Sequence, residues 1–196
     1  MAIWMAAVAA EAQTTFHASF AFAPLVTNLA ALDDELEGYG YAPVGSPFLP
    51  SWGIHARATF PSGLLVGASM TSSFASNRVE GVAAPTTTTW TRLGWFAGAL
   101  VADRVTTELE LGFGSLTQTV GSDVGGGALV YLGPTVHPRV GLQILEAPQH
   151  LEVQVGWLAE VPIGPAHQQP LWDEPFRRPV IHGASLALVT GLGVKR

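Results

Sequence analysis

From Phe16 onward, apolar and polar positions alternate with a period of two. Phe16, Ala18, Phe20 and Phe22 alternate with His17, Ser19 and Ala21, and Trp52, Ile54, Ala56, Ala58 and Phe60 alternate with Gly53, His55, Arg57 and Thr59. The same rhythm runs through Leu64–Met70, Leu93–Val101, Leu109–Phe113 and Leu151–Val161. It recurs in the last segment, where Ala184, Leu186, Leu188 and Leu192 oppose Gly183, Ser185, Gly191 and Gly193. Successive side chains of a strand point to opposite faces, so each segment predicts a two-faced strand. The segment from Ala128 to Leu145 behaves alike, except that Pro134 and Pro138 each remove a ladder donor. A bulge, or a strand that starts only near Arg139, is the expected resolution.

This makes eight strands of about ten residues, each long enough, at a tilt near 40°, to cross a hydrocarbon layer of about 25 Å. Their connections alternate in length. Pro61-Ser62-Gly63, Asp103-Arg104-Val105 and the stretch from Glu146 to Gln149 are short; 24–50, 74–90, 116–127 and 163–180 are long. A three-residue turn would pair Phe60 with Leu64 and Ala102 with Thr106. Tight turns at one end and long loops at the other are the layout of a transmembrane barrel.

Composition says which face meets which solvent. The 196 residues include only 9 Lys and Arg and 15 Asp and Glu, with 48% apolar residues, a net charge of −6 and a mean hydropathy of +0.32. Charged residues make up 12%, about half the soluble-domain norm of roughly 25%. Disorder, a coiled coil and a basic nucleic-acid binder are all disfavoured. No apolar run approaches the roughly 20 residues of a membrane helix. None of the apolar-face strand positions is charged, as a lipid-facing surface requires. A soluble lipocalin-like carrier would reverse these faces. With no cysteine, disulfides and thiolate chemistry are excluded. Residues 1–12, MAIWMAAVAAEA, read as a signal peptide ending in the small-residue pattern Ala10-Glu11-Ala12, which leaves 13–196 as the barrel domain.

The eight amphipathic strands over about residues 14–194, with alternating turn and loop lengths, resemble the small eight-stranded outer-membrane β-barrels of Gram-negative bacteria, the OmpA-transmembrane, OmpX and PagP-like group. The resemblance is architectural. It implies an all-β, eight-stranded antiparallel up-and-down barrel in the bacterial outer membrane, with the lipid bilayer as its first partner and other outer-membrane proteins met through external loops. That group usually ends its last strand on an aromatic residue, whereas this chain ends Gly191-Leu192-Gly193-Val194-Lys195-Arg196.

The polar face carries the candidate chemistry. His55, Arg57, Arg92, Glu108, Glu110, His137, Arg139, Glu152 and Glu160 all fall on it and predict a polar network inside the barrel. The segments from Ala128 to Leu145 and from Leu151 to Val161 form a hairpin, so Arg139 is expected to reach Glu152 or Gln154. His17 with Ser19, or His182 with Ser185, would be the pairs to consider for a lipid-modifying enzyme. Their spacing shows no nucleophile–base geometry, and no catalytic residue, metal site or cofactor is assigned. In the first loop, Leu25, Leu29, Leu32 and Leu36 recur at helical spacing, followed by Asp33, Asp34, Glu35 and Glu37, and predict a short helix at the barrel mouth. Trp52, Trp90, Trp172 and Phe176 are expected in interfacial girdles. The function implied is a structural or binding role through external loops, or as a subunit of an envelope assembly. A narrow pore and a lipid-modifying enzyme are the alternatives.

Overall fold

The computed structural model describes residues 13–29, 33–34, 48–77, 86–120, 127–163, 167–169 and 180–195. The expected signal peptide at 1–12 lies outside them. The strands are β1 (Thr15–Phe22), β2 (Leu25–Thr27), β3 (Phe48–Leu49), β4 (Ser51–Thr59), β5 (Leu64–Asn77), β6 (Thr86–Ala102), β7 (Val105–Val120), β8 (Gly127–Leu145), β9 (Gln149–Glu160), β10 (His167–Gln169) and β11 (Ile181–Lys195).

These eleven segments form eight walls. β1 and β2 follow one another along β11 in a single register, from Phe22↔Leu188 to Leu25↔Ser185, interrupted only at Ala23-Pro24. β3 and β4 likewise form one wall interrupted at Pro50. β9 and β10 both lie along β8. All neighbours are antiparallel, and the pairing of β1 with β11 closes the barrel. Following the register once round the barrel gives its stagger. Phe16 leads to Ala58, Val66, Ala97, Leu109 and Pro138. The β8–β9 register then places Pro138 beside Trp157, which leads to Ala184 and Val26. The circuit returns 26 − 16 = 10 residues higher, a shear that tilts the strands and leaves a lumen that side chains can fill.

The two faces separate as the alternation requires. Phe20, Ile54, Met70, Leu93 and Phe113 are register partners in one exterior row, and all are exposed. A soluble carrier buries this face; here the polar face is inside, which excludes the lipocalin-like arrangement. Among the described residues seven charged side chains, four Glu and three Arg, point into the lumen. No helix among the described residues is long and apolar enough to cross a membrane, and the crossing is made by strands.

Three expectations about local structure need correction. The strand through Pro134 and Pro138 has no bulge at either proline and no late start. β8 is continuous from Gly127, and Pro138 keeps its place opposite Leu109 on β7. The ladder to β9 skips the positions around Pro138 and shifts register between Gln143 and Leu145, while the Pro134 carbonyl accepts the Val161 N–H at 3.1 Å. Leu25 belongs to a strand, not a helix, because the free flank of β11 at Gly183–Ser185 recruits it and its side chain is wholly buried. Asp33 donates one helical-type bond to the Leu29 carbonyl; Leu32, Glu35, Leu36 and Glu37 lie outside the described residues. At the first turn Phe60 and Leu64 do pair, Phe60 N–H donating at 2.9 Å, with Gly63 at a φ of 82° that suits glycine. At the second, Ala102 pairs with Val105 and Leu100 with Thr106, the difference being taken up by a bulge at Val101.

Candidate functional site

The lumen is filled in two layers. Near the short-turn end lies a layer of charge. Arg57 Nη1 sits 2.7 Å from Glu152 Oε2 and 3.1 Å from Glu108 Oε1. Arg139 spans Glu108, at 3.0 Å, and Glu110, at 3.1 Å. Glu108 therefore joins the two arginines. Thr106 donates to Glu152 at 2.5 Å, Gln154 to Glu152 at 3.1 Å and Ser69 to Glu110 at 2.6 Å. His150 Nε2 lies 3.3 Å from Glu152, and its ring meets that of His17 at 4.5 Å between centroids. These residues are each more than nine-tenths buried. Buried charges survive only when paired, and this layer pairs each arginine with two carboxylates, while Arg57 Nε and Arg139 Nε have no hydrogen-bond partner.

Above it, Arg92 has no carboxylate within salt-bridge distance among the described residues. Its guanidinium lies over the Trp90 ring at 5.1 Å. Trp90 in turn donates its indole N–H to Glu160. Arg139 lies over the Phe96 ring at 4.9 Å. Two cavities of about 10 Å³ interrupt the packing, one bordered by Arg57, Glu108 and His150, the other by Arg92, Glu110 and Arg139. Each has room for about one water.

Toward the long-connection end the lumen turns apolar. Leu25, Leu29, Leu49, Leu116, Leu129 and Leu158 pack with Trp90, Tyr131 and Ile181, all at most 2% exposed. This plug was not anticipated. Its signal is apolar residues on the polar parity of the strand ends, such as Leu116 beside Gly114 and Leu158 beside Glu160. Trp90 is corrected with it. It is a lumen residue, not a girdle residue, because it shares the face of Arg92 two positions on. Trp52, Trp95 and Trp157 face outward, each at least 45% exposed; Trp172 and Phe176 lie outside the described residues.

Of the nine residues predicted to share the lumen, all nine are buried there. Arg57, Glu108, Glu110, Arg139 and Glu152 form one connected network; Arg92 and Glu160 meet at Trp90; His55 and His137 stand between. Arg139 does not reach Glu152 or Gln154. The register sets Glu108 directly opposite it on β7, and on β9 sets only Gly156 there. Outside the nine, His17, Ser69, Thr106, His150 and Gln154 join the layer, all on the polar parity; only His150 went unnoticed in the sequence, and Gln154, expected beside Arg139, bonds to Glu152 instead. Neither suggested Ser–His pair forms. His137 Nε2 lies 2.8 Å from Ser185 Oγ inside the lumen, and His182 stacks on Trp157 outside it, at 5.4 Å. Among the described residues no cluster of three or more His, Asp or Glu is placed to hold a metal.

No family model matches the chain, and no curated protein does. Solved structures share its fold. Ail, the attachment invasion locus protein of Yersinia pestis, superposes with a TM-score of 0.58 and 7% identity over 94% of this chain and 99% of that one. The fold is that of a small outer-membrane β-barrel. The same protein in complex with the heparin analogue sucrose octasulfate gives a TM-score of 0.54 at 10% identity, again over 94% and 99%. Neisserial surface protein A matches at 0.46 and 15% identity, over 93% and 97%.

Proposed function

We propose that this outer-membrane barrel acts through the surface its long connections present, and that nothing passes through it. The double filling of the lumen carries this reading: a charged layer held by paired arginines, capped by an apolar plug, with cavities of about 10 Å³ between. Ions would need to enter an apolar seal without hydration, at several kcal/mol each. Ser185 and His137 lie beneath that seal and inside the wall, away from lipid, which does not favour a lipid-modifying enzyme.

The barrel then serves as an anchor, and its partner is met outside. Ail was solved with a polyanion. In this chain, residues 28–47, 78–85, 121–126 and 164–180 hold eight Asp and Glu against three Arg. Such loops are complementary to a cationic partner, such as a basic face of another envelope protein.

The test is reconstitution of the purified chain into planar bilayers and into vesicles loaded with a small fluorophore. The expected result is no conductance above the bilayer background and full retention of the dye. Stepwise conductance or dye loss would replace this reading with the narrow pore.

A further inference from the structure

The outward faces of β5, β6 and β7 change character together. Met70, Leu93 and Phe113 form one apolar row. One step toward the long-connection end, the next register row is Ser72, Thr91 and Ser115, with Ser72 Oγ 3.4 Å from Thr91 Oγ1. The row beyond is Phe74, Thr89 and Thr117, and the one beyond that Ser76, Thr87 and Thr119. Eight hydroxyl side chains thus surround one exposed aromatic ring on three adjacent strands, at roughly 4.8 Å between strands and 6.8 Å along them. No charge falls in the patch. On β8, the next wall, the positions opposite Ser115 and Thr117 are Leu132 and Val130, so an apolar flank runs alongside.

We propose that this patch binds the sugar headgroup of a glycolipid in the outer leaflet. The patch continues the lipid-facing belt without a break, so a lipid whose chains lie against Met70, Leu93, Leu132 and Val130 sets its headgroup on the hydroxyls. A phosphate would call for Arg or Lys. Uncharged hydroxyls around an exposed ring suit a saccharide, which exchanges hydrogen bonds with Ser and Thr and lays its C–H face on Phe74. The inference rests on the outer-membrane reading with the long connections outside.

The full chain in micelles is titrated with rough lipopolysaccharide, with phosphatidylglycerol, and with the acyl-free core oligosaccharide, and bound ligand is read by native mass spectrometry. The variants are Thr87→Val/Thr89→Val/Thr117→Val, which keeps shape and β-propensity while removing three hydroxyls, and Phe74→Leu alone. Thr190→Val, on the outer face of β11, is the control. Each patch variant is expected to weaken lipopolysaccharide binding about tenfold or more, leaving phosphatidylglycerol binding and the fast unboiled gel mobility unchanged. Unchanged lipopolysaccharide binding, or an equal loss for phosphatidylglycerol, overturns the inference. Free oligosaccharide bound as tightly as the intact glycolipid overturns the membrane-anchored occupant. Should the triple variant fail to fold, Phe74→Leu decides. A wild-type chain without the unboiled mobility shift would refute the outer-membrane reading instead.

Discussion

Arg57 and Glu152, 95 positions apart in the chain, meet across the lumen at 2.7 Å. Both side chains are at least 95% buried, and Glu108 completes the group at 3.1 Å. Replacing Arg57 by Met leaves two carboxylates facing one another without their shared cation. Removing one partner of a buried pair costs about 3–5 kcal/mol. Urea unfolding of vesicle-inserted Arg57→Met should show a loss of that size. Arg57→Met/Glu108→Gln/Glu152→Gln should recover most of it, since neutral amides still bond to Thr106 and Gln154. A loss below about 1 kcal/mol would mean the pair is solvated.

Trp90 and Glu160 report on the interior by fluorescence. Trp52, Trp95 and Trp157 face lipid, whereas Trp90 is wholly buried. In bilayers with brominated acyl chains the outward tryptophans should be quenched and Trp90 spared. Trp90→Phe should therefore remove emission that both brominated lipid and acrylamide fail to quench. Loss of a lipid-quenched component would place Trp90 on the exterior.

How much could be read from the sequence follows from these residues. Alternation depends only on the two-residue repeat of a strand, so the exterior row from Phe20 to Phe113 and the inward position of Arg57, Glu108 and Glu152 were legible. Trp90 was misplaced because residue type was given more weight than parity, although Arg92 two positions away already marked the inner face. Register was not legible: nothing in the chain says whether Arg139 finds its carboxylate on β7 or on β9. Pro24 and Pro50 read as strand ends, yet each only interrupts a wall that resumes in the same register. Leu25 stands at helical spacing from Leu29, but the unpaired edge of β11 draws it into a strand.

Gly67 marks a place where backbone and ring approach closely. It is the register partner of Phe96, whose ring lies inside the lumen over it. A Cβ there would strike the Ala56 carbonyl oxygen and the Phe96 ring, with Cε2 at 2.8 Å. Gly67→Ala should destabilise the barrel by about 1–3 kcal/mol, as overpacked sites do. Equal urea midpoints for variant and wild type would contradict that packing.

The apolar plug contributes stability at the outer end. Leu129 is fully buried among Leu116, Leu158 and Tyr131. Leu129→Ala should cost about 2–5 kcal/mol and still leave the lumen closed, because the charged layer beneath it is intact. Bilayer recordings of the variant should stay silent; open-channel steps would show that the plug alone is the barrier.

The central claim is a closed barrel that crosses the bilayer with its apolar face outward. Its most direct test is the gel mobility of protein extracted from an outer-membrane fraction, unboiled against boiled. The barrel as described stays folded in SDS until heated and migrates at a different, more compact position when unboiled. A chain recovered in the soluble fraction with identical mobility before and after boiling would contradict it.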